Sequence, residues 1–249
     1  MTHNQKKVTV NKVILFGDSI TELSSNQEYG FNLAPALQHE YFRKLQVITH
    51  GYGGYNTEHA RYILDPILDA ETAGGSTIRL ITIFFGTNDS AENNQQYVPL
   101  ERYAENLQFL TTQALRRNIA VILIGPALID EDRVTDRSTR SNRAYSEAAR
   151  EVAKKFNVPF LDLGKAFAAL ATNERDREYL GDLLTDGVHF TGKAYKIMYE
   201  MLLRIIREEY PALRTENLPT ILPHILDIDH TDLPASLWRG EHPTKNSTI

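Results

Sequence analysis

The sequence predicts a doubly wound α/β domain, a five-stranded parallel sheet with helices on both faces. Three observations predict it. Five short runs of β-branched and aliphatic residues recur along the 249 residues. Segments of helical period separate them, and the middle three runs are nearly free of polar residues, as strands buried on both faces require. The resulting order, β-α-β-α-β-α-β-α-β-α, implies right-handed crossovers and a working site beyond the carboxyl ends of the strands.

The first run, Val8 to Phe16, stops at Gly17-Asp18-Ser19, so a helix should open with Ser19 in its first turn. The N–H groups that open a helix are unpaired and favour negative charge beside them, which makes this a good position for a nucleophile. Asp and Ser are also ordinary helix caps. Leu33, Leu37 and Tyr41 then share one helical face before the second run, Leu45 to Thr49, which leads into Gly51-Tyr52-Gly53-Gly54. The third run, Ile78 to Phe85, leads into Gly86-Thr87-Asn88-Asp89, and Tyr103, Leu107, Leu110 and Ala114 form the next helical face. The fourth run is Ile119 to Ile124, followed by a face of Ala144, Ala148 and Val152, and the fifth is Val158 to Leu163. A last long helix with Tyr195, Met198, Leu202 and Ile205 on one side follows the loop Asp186-Gly187-Val188-His189. Three of the four polar motifs should therefore meet on one rim of the sheet.

Beyond Tyr210 the character changes: half of the ten prolines and the single tryptophan, Trp238, fall in residues 211–249. Such a stretch forms no long regular element. It still carries Leu218, Ile221, Leu222, Ile225, Leu226 and Leu237, too apolar for a free tail. The expectation is a domain of residues 1–210 and an extension, 211–249, that wraps over the domain or a partner subunit.

Composition narrows the functional classes. A net charge of −5, with no Lys/Arg cluster, argues against nucleic-acid and anionic-membrane surfaces. The absence of cysteine removes disulfides, thiolate catalysis and cysteine-ligated metal. No apolar run reaches the length of a membrane span and the N-terminus has no leader-like core, so a soluble, cytoplasmic protein is expected. The partner should be a small molecule.

Four blocks together resemble the GDSL, or SGNH, hydrolases over about residues 12–210: FGDSITE from Phe16 to Glu22, His50 to Tyr55, GTND from Gly86 to Asp89, and Asp186 to His189. The resemblance implies a three-layer, flavodoxin-like α/β/α fold and serine esterase chemistry without a metal or cofactor. It places the nucleophile on Ser19, the acid–base histidine on His189, its orienting carboxylate on Asp186, and the oxyanion hole on Ser19, Gly54 and Asn88. Gly53 stands beside Gly54, and the resemblance selects between them. Each role makes chemical sense. Asp186 and His189 are three residues apart, so both side chains can point the same way from one turn, and Asn88 offers a side-chain N–H₂ to a developing oxyanion. If His189 is the base, the rate should fall below about pH 6–7, where imidazole titrates.

Within the family, ITIFFGTND (Ile81 to Asp89), VILIGPAL (Val121 to Leu128) and LLTDGVHFTGKAYK (Leu183 to Lys196) resemble the isoamyl-acetate-hydrolysing esterases. That branch implies small acetate esters as substrates and a homodimer. Three other readings stand beside it. An acyltransferase would use the same acyl-serine intermediate. A two-metal phosphoesterase is echoed by Gly17-Asp18 and Asn88-Asp89 but lacks the expected histidines at strand ends. A non-catalytic binding protein needs none of the four site side chains, all of which are present.

Overall fold

A computed structural model describes residues 8–92, 94–171 and 178–238. Its sheet has five parallel strands, β1 (Lys12–Gly17), β2 (Gln46–Gly51), β3 (Ile78–Phe84), β4 (Ala120–Gly125) and β5 (Phe160–Asp162), in the order β2-β1-β3-β4-β5. The helices are α1 (Ser19–Glu22), α2 (Leu33–Glu40), α3 (Thr57–Thr72), α4 (Leu100–Arg116), α5 (Thr139–Phe156), α6 (Leu163–Ala168), α7 (Glu178–Leu183), α8 (Gly192–Glu209) and α9 (Leu233–Leu237). The strand order reverses direction between β1 and β3, and a crevice opens at their carboxyl ends.

Alternation along the strands divides the core into two. Val13, Leu15 and Phe84 face α2 and α6–α8, where Phe167, Phe190 and Tyr195 pack. Ile14, Phe16, Ile81 and Ile83 face α3, α4 and α5. Burying each such side chain contributes about 1.5–3 kcal/mol, so the two layers supply most of the driving force for folding. Local signals set the helix starts. Asn56 and His59 form a reciprocal cap on α3, Ser138 caps α5 and Thr191 caps α8. At the far end of α5, Asn157 takes a left-handed conformation, φ 51°, that stops the helix.

Several boundaries differ from those read in the sequence. β1 begins at Lys12, and Val8 is exposed. β5 keeps only three residues, because Asp162 caps α6 and turns the chain at Leu163. The buried face of α5 is Asn142, Tyr145, Ser146, Ala149, Val152 and Ala153, with Ala144 exposed and Ala148 half-buried. Asn142 is fully buried because Ser90 donates to its Oδ1 and its Nδ2 donates to the Ala127 carbonyl at 2.8 Å. A polar residue satisfied in this way looks solvent-facing in a hydropathy pattern, which rotates the apparent face. On α8, Ile206 is buried and Ile205 only half-buried.

The chain after α8 turns back to the opposite end of the sheet. The Tyr41 hydroxyl donates to the Leu213 carbonyl (3.1 Å), and Lys44 Nζ donates to the Leu218 carbonyl (2.7 Å). Arg43 donates to the carbonyls of Ile221, Leu222 and Pro223. Arg43 and Lys44 immediately precede β2, so residues 213–223 dock at the amino end of that strand, away from the crevice. Leu213 and Leu218 are buried there, while Leu222, Ile225 and Leu226 are exposed. No helix among the described residues is long and apolar enough to cross a membrane.

Candidate active site

Ser19 reaches the crevice because β1 ends at Gly17 and Asp18 caps the following turn, its Oδ1 accepting the Ile20 N–H at 2.9 Å. The helix it opens, α1, is only four residues long, so unpaired N–H groups matter here more than an extended helix dipole. The Ser19 N–H has no partner among the described residues. Gly51 is required by packing: a Cβ there would lie 2.0 Å from the Glu22 nitrogen, so only glycine lets α1 settle on the end of β2.

His189 comes from the loop between α7 and α8. An antiparallel bridge between Leu184 and Phe190 closes that loop, with the Thr185 N–H donating to the His189 carbonyl at 2.8 Å. Phe190, buried against Phe84, Phe167 and Tyr195, anchors the loop to the core. His189 Nε2 lies 2.8 Å from Ser19 Oγ, and His189 Nδ1 lies 2.6 Å from Asp186 Oδ2. Asp186 Oδ1 also accepts the backbone N–H groups of Val188 (3.0 Å) and His189 (2.9 Å). Burial alone would raise the Asp186 pKa, but the hydrogen bonds from His189 and Val188 and the imidazole charge outweigh it and bring it down to about 2.

The two neighbouring glycines differ in what their N–H groups do. The Gly53 N–H donates to the Glu22 carboxylate. The Gly54 N–H has no partner among the described residues, and its residue sits at φ +78°, a conformation that favours glycine. Asn88 follows β3 and is 5% exposed. Its Nδ2 donates to the Tyr55 carbonyl at 2.8 Å, which uses one of two amide hydrogens and leaves the other free.

Three contributors went unrecognised in the sequence. Arg137, in the loop before α5, donates to Asn88 Oδ1 at 3.2 Å. Gln96 donates from Nε2 to the Gly54 carbonyl at 2.9 Å. Glu22 lies inside the first block but carries no chemical signature of its own. Asp89, beside Asn88, is structural: its Oδ1 accepts the Thr57 N–H (3.0 Å) and the Thr57 hydroxyl, fastening the turn after β3 to the start of α3. Asp18 and Asp89 are both fully buried, and burial lifts each to about 7. For Asp18 the nearby Asp89 charge adds to the rise, while the Ile20 N–H and Arg137 oppose it. Among the described residues no three His, Asp or Glu side chains are grouped to hold a metal ion.

The model of the GDSL-like lipase/acylhydrolase family matches residues 15–197, which span all four blocks. The chain belongs to this family. An isoamyl acetate-hydrolysing esterase of Saccharomyces cerevisiae is 35% identical over 224 residues, 83% of this chain and 90% of that one. A human isoamyl acetate-hydrolysing esterase 1 homolog is 30% identical over 249 residues, 93% of this chain and 94% of that one. The crystal structure of a lipase/acylhydrolase from Enterococcus faecalis superposes with a TM-score of 0.62 at 26% identity, covering 80% of this chain and 97% of its own. As a member of this GDSL family, the protein is a carboxylic ester hydrolase.

Proposed function

We propose that the protein is a serine esterase acting through an acyl-serine intermediate, with small acetate esters of short or branched alcohols as substrates. The observation that carries the mechanism is the continuous chain from Ser19 Oγ through His189 to Asp186, 2.8 and 2.6 Å, on the switch-point rim of the sheet. Ser19 Oγ attacks the ester carbonyl while His189 Nε2 takes its proton. Asp186 keeps the remaining ring hydrogen on Nδ1 and stabilises the imidazolium. The free N–H groups of Ser19 and Gly54 and the second Nδ2 hydrogen of Asn88 receive the oxyanion, and the commitment of the Gly53 N–H to Glu22 favours Gly54 over its neighbour. Collapse returns the proton from His189 to the leaving alkoxide, and water repeats the sequence on the acyl-serine.

The substrate class rests on the two relatives that hydrolyse isoamyl acetate or share that name. Residues 1–210 form the hydrolase unit in this reading, and residues 211–249 are an accessory extension. The dimer implied by the sequence resemblance is checked by light scattering of the purified protein.

The test is hydrolysis of p-nitrophenyl acetate, butyrate and octanoate, then of isoamyl acetate, by the wild type and by Ser19→Ala, with a chelator present. Ser19-dependent turnover that falls with acyl length is expected. Near-normal turnover in Ser19→Ala would remove the nucleophile assignment, and a preference for octanoate would remove the acetate reading.

A further inference from the structure

Two of the three donors assigned to the oxyanion hole, Asn88 and Gly54, converge on a single guanidinium. Arg137 Nη1 donates to Asn88 Oδ1 at 3.2 Å and to the Thr87 carbonyl at 3.4 Å. Its Nη2 donates to Gln96 Oε1 at 3.3 Å, and Gln96 Nε2 in turn donates to the Gly54 carbonyl at 2.9 Å. The second and third blocks of the site, contributed by different strands, are therefore tied through one residue that belongs to neither.

The group is itself held. Arg137 Nε and Nη2 donate to the two oxygens of Asp136, at 3.1 and 2.9 Å, and Asp136 also accepts Asn94 Nδ2 at 3.0 Å. The Arg137 side chain is 10% exposed, and all three of its nitrogens are engaged, so it has little capacity left to bind substrate. What it can do is orient. An amide that accepts from a cation at Oδ1 has its Nδ2 turned the other way, with one hydrogen on the Tyr55 carbonyl and the other left free. Hydrogen bonds linked in series polarise one another, so the Arg137 contact also makes Asn88 a stronger donor. The Gln96 arm acts on the second donor in the same sense, by fixing the plane of the peptide that follows the Gly54 N–H.

We propose that Arg137 is the positioning residue of the oxyanion hole, fixing Asn88 directly and Gly54 through Gln96. This rests on the serine esterase reading above and on Asn88 as an oxyanion donor.

The test compares Arg137→Ala, Arg137→Lys, Asn88→Ala and the Arg137→Ala/Asn88→Ala double variant on p-nitrophenyl acetate, with thermal midpoints measured alongside. Losing an oxyanion donor outright costs ~10²–10³ in turnover, so loosening it should cost less. Arg137→Ala is expected to lower kcat by about 10–10²-fold with KM changed by less than about threefold, and to weaken binding of a boronic acid, which mimics the tetrahedral anion, by a similar factor. Lysine keeps the charge but not the fork, so Arg137→Lys should fall between Arg137→Ala and the wild type at an unchanged thermal midpoint. In the Asn88→Ala background, removal of Arg137 should cost much less than in the wild type.

Losses that multiply in the double variant, or wild-type kcat in Arg137→Lys together with unchanged boronate affinity in Arg137→Ala, would overturn the inference. Should Arg137→Ala not fold, Arg137→Lys and a Gln96→Met variant decide: wild-type kcat in both overturns it, and a lowered kcat at an unchanged thermal midpoint supports it. Full activity in Asn88→Ala would defeat the oxyanion-hole assignment itself, whereas a slow Asn88→Ala beside a fast Arg137→Ala would defeat only the role given to Arg137.

Discussion

Replacing Asp186 by asparagine should be more damaging than replacing it by alanine. In the proposed mechanism Asp186 does two things for His189, and the geometry lets them be weighed apart. The first is electrostatic. A pKa brought from 3.8 to about 2 corresponds to about 2.5 kcal/mol, but part of that comes from backbone N–H groups and the carboxylate side chain is 55% exposed. Solvent screening reduces the share felt by the imidazolium to about 1 kcal/mol, or five- to tenfold in rate. The second is tautomeric. Oδ1 is held by the N–H groups of Val188 and His189, so an asparagine placed here keeps its oxygen on those two donors and turns its N–H₂ toward His189 Nδ1. Nδ1 must then accept, the ring hydrogen moves to Nε2, and Nε2 can no longer take the proton of Ser19. The same exchange costs about 10⁴ in kcat in a chymotrypsin-type triad. Alanine leaves Nδ1 facing water with either tautomer accessible, so its loss should be about 10–10²-fold. The assay is kcat for p-nitrophenyl acetate in both variants at pH 8. An asparagine variant as fast as the alanine variant, or within tenfold of the wild type, would refute the tautomer argument.

Other outcomes follow from buried charge and from the C-terminal extension. Asp18 is lifted to about 7 chiefly by burial, so between about pH 4 and 7 the folded protein holds a proton that the unfolded chain has released. Stability therefore falls as pH rises through that window and levels off above it. Asp18→Asn keeps the Oδ1 cap on Ile20, and its urea-derived stability should fall by about 1.4 kcal/mol per pH unit less than the wild type's over pH 5–7. Parallel slopes would contradict the burial argument. Arg43 carries three carbonyls of the extension, so Arg43→Ala should expose residues 221–238 to rapid proteolysis and cost about 2 kcal/mol of local stability, with kcat unchanged because the contact lies at the far end of the sheet. Tyr195→Phe strands the buried Ile20 carbonyl, which now accepts the Tyr195 hydroxyl at 2.7 Å, and should lower stability by about 1–2 kcal/mol in denaturant titration.

The parts of the fold that were legible in the sequence are those where side-chain chemistry and burial coincide. β3 and β4 are buried on both faces, so Ile78 to Phe84, interrupted only by Arg79 and Thr82, and Ala120 to Gly125 read as apolar runs. The faces Leu33-Leu37-Tyr41 and Tyr103-Leu107-Leu110-Ala114 are apolar and fully buried. Legibility failed where a polar residue is buried because it is satisfied, as Asn142 is on α5. It failed again where an apolar residue stays exposed, as Ile225 and Leu226 do on the extension.

The site divides along the same physical line. Ser19, Asn88, Asp186 and His189 each sit at a strand end or in a short loop whose local motif announces a chemistry. The structure brings Ser19, His189 and Asp186 into one hydrogen-bonded chain, and sets Asn88 and Gly54 on a shared network through Gln96 and Arg137. Arg137 had no such announcement. It stands in an irregular loop after five other charged residues from Asp130 to Asp136, and its relevance comes wholly from contacts across 41 and 49 residues of chain, to Gln96 and Asn88. A reacting group must have a particular side chain, which leaves a mark at one position. A positioning group needs only to reach the right acceptors, and that requirement is written in the tertiary structure rather than in any local pattern. The ordering of effects expected from the variants reflects this difference: in the proposed mechanism removing Ser19 should stop the reaction, whereas removing Arg137 should slow it while leaving every reacting atom in place.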